Sequence, residues 1–213
     1  MNILILGAHP DDEVLGMGGT IKKLSKDNTV DLCIVTDGAS AQYSNKNMIE
    51  KRKKSCLDSG KILGISEFYF LDYPDMKLDT ISLLEINKKI EKIIKKNKPE
   101  IVYTISNSDF NRDHQIVFES SLIVTRPQSS SVKQLISYEL PGSKRQIFLP
   151  TIYENIEKEI SYKISAFKCY ESEIQNFPHP RSIKAIENLS FQRGIESNLK
   201  NAEAFELVRR IND

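Results

Sequence analysis

Tryptophan is absent from this 213-residue chain, cysteine and histidine occur three times each, and neither sign of charge prevails, with 30 basic residues against 29 acidic ones. The missing tryptophan, in a chain rich in lysine, isoleucine and asparagine, carries no functional information. The charge balance removes the electrostatic basis for a nucleic-acid or anionic-membrane partner and leaves small or neutral substrates as the expectation. Cys33, Cys56 and Cys169 lack paired metal-ligand spacing, and their odd number argues against a complete disulfide framework, in keeping with a reducing cytoplasm. No apolar run approaches the length of a membrane span. The apolar opening is strand-like and too short for a signal-peptide core with its basic leader, so a soluble protein is expected. The length suits one domain over residues 1–213, without repeat, linker or boundary. A homo-oligomer is compatible with it, although no interface stripe is readable.

What is present is an alternation. Residues 2–7 form a continuous apolar run, the pattern of a parallel strand covered on both faces. Asp11 or Asp12 is placed to cap a helix from near Glu13 to Ser25. The segment TVDLCIVTDG predicts a second strand, Asn47 to Leu63 a helix closed by Gly64, and EFYFLDYPD a third strand. Leu83, Ile86, Ile90, Ile93 and Ile94 share one face of a helix over residues 82–96, PEIVYTIS predicts a fourth strand, and a helix follows from about Asp113 to Val124. Two β segments are expected around VKQLISYEL and RQIFLPTIY, then a mostly helical tail over residues 157–172, 182–193 and 201–211. The expected fold class is α/β: a Rossmann-like, mostly parallel sheet with helices on both faces and a C-terminal helical and β appendage. The lysine runs KRKK and KKNK read as solvated helix faces. GMGG lacks the spacing of a dinucleotide fingerprint and reads as close helix packing.

In such sheets, sites form beyond the carboxyl ends of the strands. There the first strand delivers HPDDE, and the fourth delivers NSDFNRDHQ. His9 and Asp12 can reach one point over a strand-to-helix turn with Asp11 beside them, and His114 arrives on the same edge. Two histidines and a carboxylate with a position left for water is a catalytic zinc set, shared with non-haem Fe(II). The plainer alternative is that Asp11, Asp12 and Glu13 only cap a helix and favour its positive end.

AHPDDE, Arg52 before KILG, LDYPD, DFNRDH, YELPGS, PHPRS and the closing RG and AEAFEL together resemble the LmbE/PIG-L family of zinc-dependent N-deacetylases over nearly the whole chain. The resemblance implies Zn2+ held by His9, Asp12 and His114, Asp11 as general base, and Arg52 and Asp75 in substrate contact. The family often has a histidine three residues before the last zinc ligand, where this chain has Asn111; an amide cannot supply a proton but can donate a hydrogen bond. Asp113 is either a partner orienting an imidazole or arginine, or a helix cap. His179, an exposed loop histidine by its surroundings, becomes through PHPRS a candidate for substrate binding or for the missing imidazole, and Arg181 shares that status. The implied activity is removal of an N-acetyl group from an amino sugar or glycoconjugate. The alternatives are another small-molecule amidohydrolase, or a metal- or sugar-binding protein without turnover.

Overall fold

The computed structural model describes residues 1–43, 46–142 and 144–212; Ser143, at the end of YELPGS, lies outside the described residues. The first strand, β1, spans Asn2–Gly7 and is buried from Ile3 onward. Helix α1 follows at Asp12–Leu24, then β2 at Thr29–Thr36, α2 at Lys46–Leu63, β3 at Glu67–Tyr73, α3 at Leu83–Asn97, β4 at Ile101–Ile105 and α4 at Arg112–Val124. The periodicities of the first 124 residues thus become the expected elements. Gly64 ends α2 with φ +89°, and α3 buries Ile86, Ile90, Ile93 and Ile94 while its lysines face water.

The second part of the chain contributes β5 at Gln134–Tyr138, β6 at Ile152–Asn155, α5 at Ile160–Phe167, α6 at Ile183–Ser197 and β7 at Ala202–Arg210. All seven strands join one sheet in the order β3-β2-β1-β4-β5-β7-β6. Strands β3, β2, β1, β4 and β5 run parallel, whereas β7 is antiparallel to both β5 and β6. Helices α1, α2 and α5 pack with one another, and α3 packs with α4. Right-handed crossovers put these two groups on opposite faces of the sheet. The strand order reverses between β1 and β4, the point at which open α/β sheets hold their ligands. No helix among the described residues is long and apolar enough to cross a membrane.

Three expectations for the tail are corrected. The helix expected over residues 201–211 is instead the strand Ala202–Arg210, because AEAFELVRR, although rich in helix formers, fills the gap between β5 and β6 and pairs with both. Of RQIFLPTIY only Ile152 and Tyr153 are in a strand; Arg145 instead donates its N–H to the Ser108 carbonyl, and the chain reaches the sheet after Pro150. The helix expected over residues 157–172 shortens to α5 and a 3-10 turn at Glu171–Glu173.

Helix α1 is two helices joined across a kink at Met17, φ −142°. The kink exposes fresh amides, and Glu203 of β7 accepts two of them, from Gly19 at 2.9 Å and Thr20 at 2.7 Å, while Lys163 of α5 pairs with it at 2.6 Å. This explains a buried acid at the start of β7 and hid the strand's alternation. The GMGG segment is close packing, as expected: a Cβ on Gly16 would lie 2.3 Å from the Tyr138 ring, and one on Gly19 would lie 2.8 Å from Ile156. Glu203→Ala should therefore strand a buried ammonium and lower the unfolding free energy in urea by about 3–5 kcal/mol. Arg210→Ala, at the exposed end of the same strand, should stay within about 0.5 kcal/mol of the parent.

Candidate metal centre and cleft

The loop between β1 and α1 does not use its acids as caps. Asp11 occupies the N-cap position, but its side chain makes no cap hydrogen bond. Asp12 turns back toward the strand, and its Oδ2 accepts the N–H groups of Ala8 at 3.0 Å and His9 at 2.7 Å. The capping expectation fails because the chain reverses at Asp11, φ 125°, ψ −20°, and aims the carboxylates at the sheet edge. At the end of β4, Asn111 is the N-cap of α4 and accepts the Asp113 N–H at 2.8 Å, which sets His114 in the first turn.

These two loops bring His9, Asp12 and His114 together, all buried, with donor atoms within 4.8 Å of one another. His9 Nδ1 lies 3.0 Å from His114 Nε2. The Asp12 oxygens lie 3.5 Å from each of those nitrogens. Asp12 Oδ1 has no hydrogen-bond partner among the described residues. Four electron-rich atoms facing one point, one of them a dehydrated and unpaired carboxylate oxygen, fit a single divalent cation. Burial, the largest influence on Asp12, favours protonation, yet His114 and His9 together outweigh it and hold the carboxyl below the ordinary range.

The outward nitrogens of both rings face carboxylates, the arrangement that fixes imidazole orientation around metals. His9 Nε2 lies 3.1 Å from Asp75 and 3.3 Å from Asp113. Burial opposes charge on His9 most strongly, but Asp113, Asp12 and Asp75 outweigh it and raise its pKa well above the ordinary value. Asp113 also accepts the N–H groups of Met76 at 2.8 Å and Leu78 at 3.1 Å, so it clamps the loop after β3 against the His9 ring. Its carboxylate faces the His9 ring, and the N-cap of α4 is Asn111. His114 Nδ1 lies 3.2 Å from Asp109. Burial alone would raise the Asp109 pKa; the facing His114 outweighs it and brings it below the usual carboxylate value.

Asp11 is fully buried beside this trio, and neither carboxylate oxygen has a hydrogen-bond partner among the described residues. Arg181 and Arg52 approach its Oδ2 at 3.4 and 3.5 Å. Burial raises the Asp11 pKa above the ordinary value, with the two guanidinium groups pulling against it. Glu173 joins the arginines, 2.6 Å from Arg52 and 2.8 Å from Arg181. Within KRKK, then, Arg52 is a buried residue of the site, while Lys51 and Lys54 are solvated as expected. Glu13, also buried, is pushed up to about 7 by burial, opposed by the hydroxyl of Tyr170.

A polar cleft of about 180 Å³ opens over the centre, lined by His9, Arg52, Asp75, Asn111, Glu173 and Arg181 together with Gly38, Gln42 and Met76. His179 is not among the lining residues; it is exposed, and its Nδ1 accepts the Arg181 N–H at 3.0 Å. Sequence reasoning missed Asp109, Glu173 and Tyr170. Asp109 stood in the quoted DFNRDH segment, and its signal was an acid two residues before a cap; Glu173 and Tyr170 carry no local signal at all.

Among proteins of known sequence, the PIG-L family, GlcNAc-PI de-N-acetylase, matches residues 4–124. The deacetylase YaiS of Escherichia coli, itself uncharacterised, is 29% identical over 177 residues, 80% of this chain and 90% of that protein. The diacetylchitobiose deacetylase of Thermococcus kodakarensis is 34% identical over 106 residues, 47% of this chain and 39% of that one. Among solved structures, N,N'-diacetylchitobiose deacetylase from Pyrococcus horikoshii superposes with a TM-score of 0.84 at 22% identity, covering 98% of this chain and 84% of its own.

Chromatographically pure protein equilibrated with zinc and then desalted should carry about one ion per chain by elemental analysis, held by His9, Asp12 and His114 and not by the second group that shares His9, with Asp75 and Asp113. His9→Ala and His114→Ala should each lose it, while Asp11→Asn, outside the donor trio, should retain it.

Proposed function

Because the chain belongs to the PIG-L family of de-N-acetylases, we propose that it is a metal-dependent hydrolase that removes the acetyl group from the nitrogen of an amino sugar or glycoconjugate, releasing acetate and a free amine. The observation that carries this reading is the buried His9, Asp12 and His114 trio, whose His9 lines an open cleft, with beside it the Asp11 carboxylate, which has no hydrogen-bond partner among the described residues. Two imidazoles and one carboxylate favour zinc, and Fe(II) takes the same donors. A cation held there supplies Lewis acidity, which makes water more acidic and an amide carbonyl more electrophilic.

The chain's own groups supply the rest. Asp11 takes the proton of the attacking water as its oxygen adds to the carbonyl carbon. Burial, which raises the affinity of Asp11 for that proton, lets the same carboxyl return it to the nitrogen as the C–N bond breaks. One acid serving as base and then as acid is economical here, because Asn111 has no proton to give. Its amide, at the cleft wall, is a donor for the oxygen that becomes negative. Arg52, Asp75 and Arg181 line the same wall and contact the sugar hydroxyls. His179, linked to the Arg181 backbone at the rim, has its place in substrate contact, and the whole chain acts as one deacetylase domain.

The test is amine release from N-acetylglucosamine and N,N'-diacetylchitobiose by the zinc-loaded protein. Release should stop on chelation and return with zinc, and Asp11→Asn should lower kcat by about 10²–10⁴-fold with KM little changed. Binding of these sugars without release, unaffected by Asp11→Asn, would identify a sugar-binding protein instead. Release only from amides of other acids would identify a different amidohydrolase.

A further inference from the structure

We propose, on the reading of Asp11 as the base, that Glu13 and Tyr170 are positioning residues that hold Asp11 through its backbone. Asp11 stands at φ 125°, a region that residues with a Cβ rarely adopt and that surrounding contacts must maintain. Its N–H is donated to Glu13 Oε2 at 3.2 Å, and Glu13 Oε1 accepts the Tyr170 hydroxyl at 2.6 Å. All three residues are 0% exposed, so none of these bonds has water to replace it.

Neither Glu13 nor Tyr170 lines the cleft, and among the described residues neither is in a group of side chains able to hold a metal; the hydrogen bonds through Glu13 are their link to Asp11. The chain is anchored at two levels from one short segment. Tyr170 holds the peptide of Asp11 through Glu13, and three residues later Glu173 holds Arg52 and Arg181, which face the Asp11 carboxylate. The Arg52 guanidinium also lies 5.9 Å from the centre of the Tyr170 ring. Without the bond from Glu13 the buried Asp11 N–H has lost its acceptor, and only the Leu15 N–H, donated to the Asp11 carbonyl at 2.9 Å, still restrains this residue's backbone; relaxing the positive φ re-aims the carboxylate. The metal-binding half of the chain thus depends on a residue more than 150 positions later, with |i−j| = 157 between Glu13 and Tyr170, for the aim of its base.

The experiment is steady-state hydrolysis of N,N'-diacetylchitobiose by the full zinc-loaded chain carrying Glu13→Gln, Glu13→Met or Tyr170→Phe, each alone and combined with Asp11→Asn. Tyr170→Phe and Glu13→Met should lower kcat by roughly tenfold or more while KM stays within about twofold; Glu13→Gln, which keeps an acceptor for the Asp11 N–H, should retain most of kcat. In the Asp11→Asn background none of them should lower the residual rate further. A parent-like kcat in both Glu13→Met and Tyr170→Phe, or an equal further loss on top of Asp11→Asn, would overturn the proposal. An Asp11→Asn protein with the parent kcat would overturn the base reading itself. A crystal structure of Glu13→Met checks the backbone independently of any substrate: Asp11 should leave its positive φ, and an unmoved Asp11 would contradict the positioning role.

Discussion

Two imidazole nitrogens 3.0 Å apart, each 3.5 Å from an oxygen of the same buried carboxylate, converge on one point, close enough to share a proton or to accept a cation between them. That convergence shapes the upper edge of the sheet. It accounts for carboxylates behind both rings, for the clamp of Asp113 on the loop after β3, and for an aspartate at positive φ where a helix cap would ordinarily be placed. The donors are assembled in advance, so a cation bound there would meet a site that need not rearrange to receive it.

The topology divides the labour. Reversal of strand order between β1 and β4 opens the sheet where His9 and His114 emerge, so residues 4–124, the span matched by the PIG-L family, contain all three donors. The remainder braces that half. Glu203 and Lys163 cap and pin the kinked α1, Glu173 holds both arginines, and Tyr170 reaches Glu13. The C-terminal part also enters the sheet: β7 lies between β5 and β6, and its acid serves the helix that starts at the candidate metal centre.

What could be read in the sequence follows from where each signal lives. The parallel strands and α3 were legible because burial on both faces, or on one helical stripe, writes a periodicity into the residues themselves. The convergence of His9, Asp12 and His114 was legible because strand ends deliver them to one edge. Strand β7 was not, since Glu203 interrupts its apolar alternation for the sake of amides on α1, an interaction between residues 184 positions apart. Asp113 was ambiguous for a local reason: a cap and an orienting acid look alike, until Asn111 is seen to take the cap. Arg52 was read both as substrate contact and as part of a solvated run; helical rotation turns it inward while Lys51 and Lys54 face water.

The most direct test of this account is a crystal structure of the zinc-loaded protein with anomalous scattering recorded on both sides of the zinc edge. The account predicts a single strong anomalous peak within coordinating distance, about 2.0–2.2 Å, of His9 Nδ1, His114 Nε2 and an Asp12 oxygen. A peak on the opposite side of the His9 ring, between Nε2, Asp75 and Asp113, or no peak at either place, would contradict it.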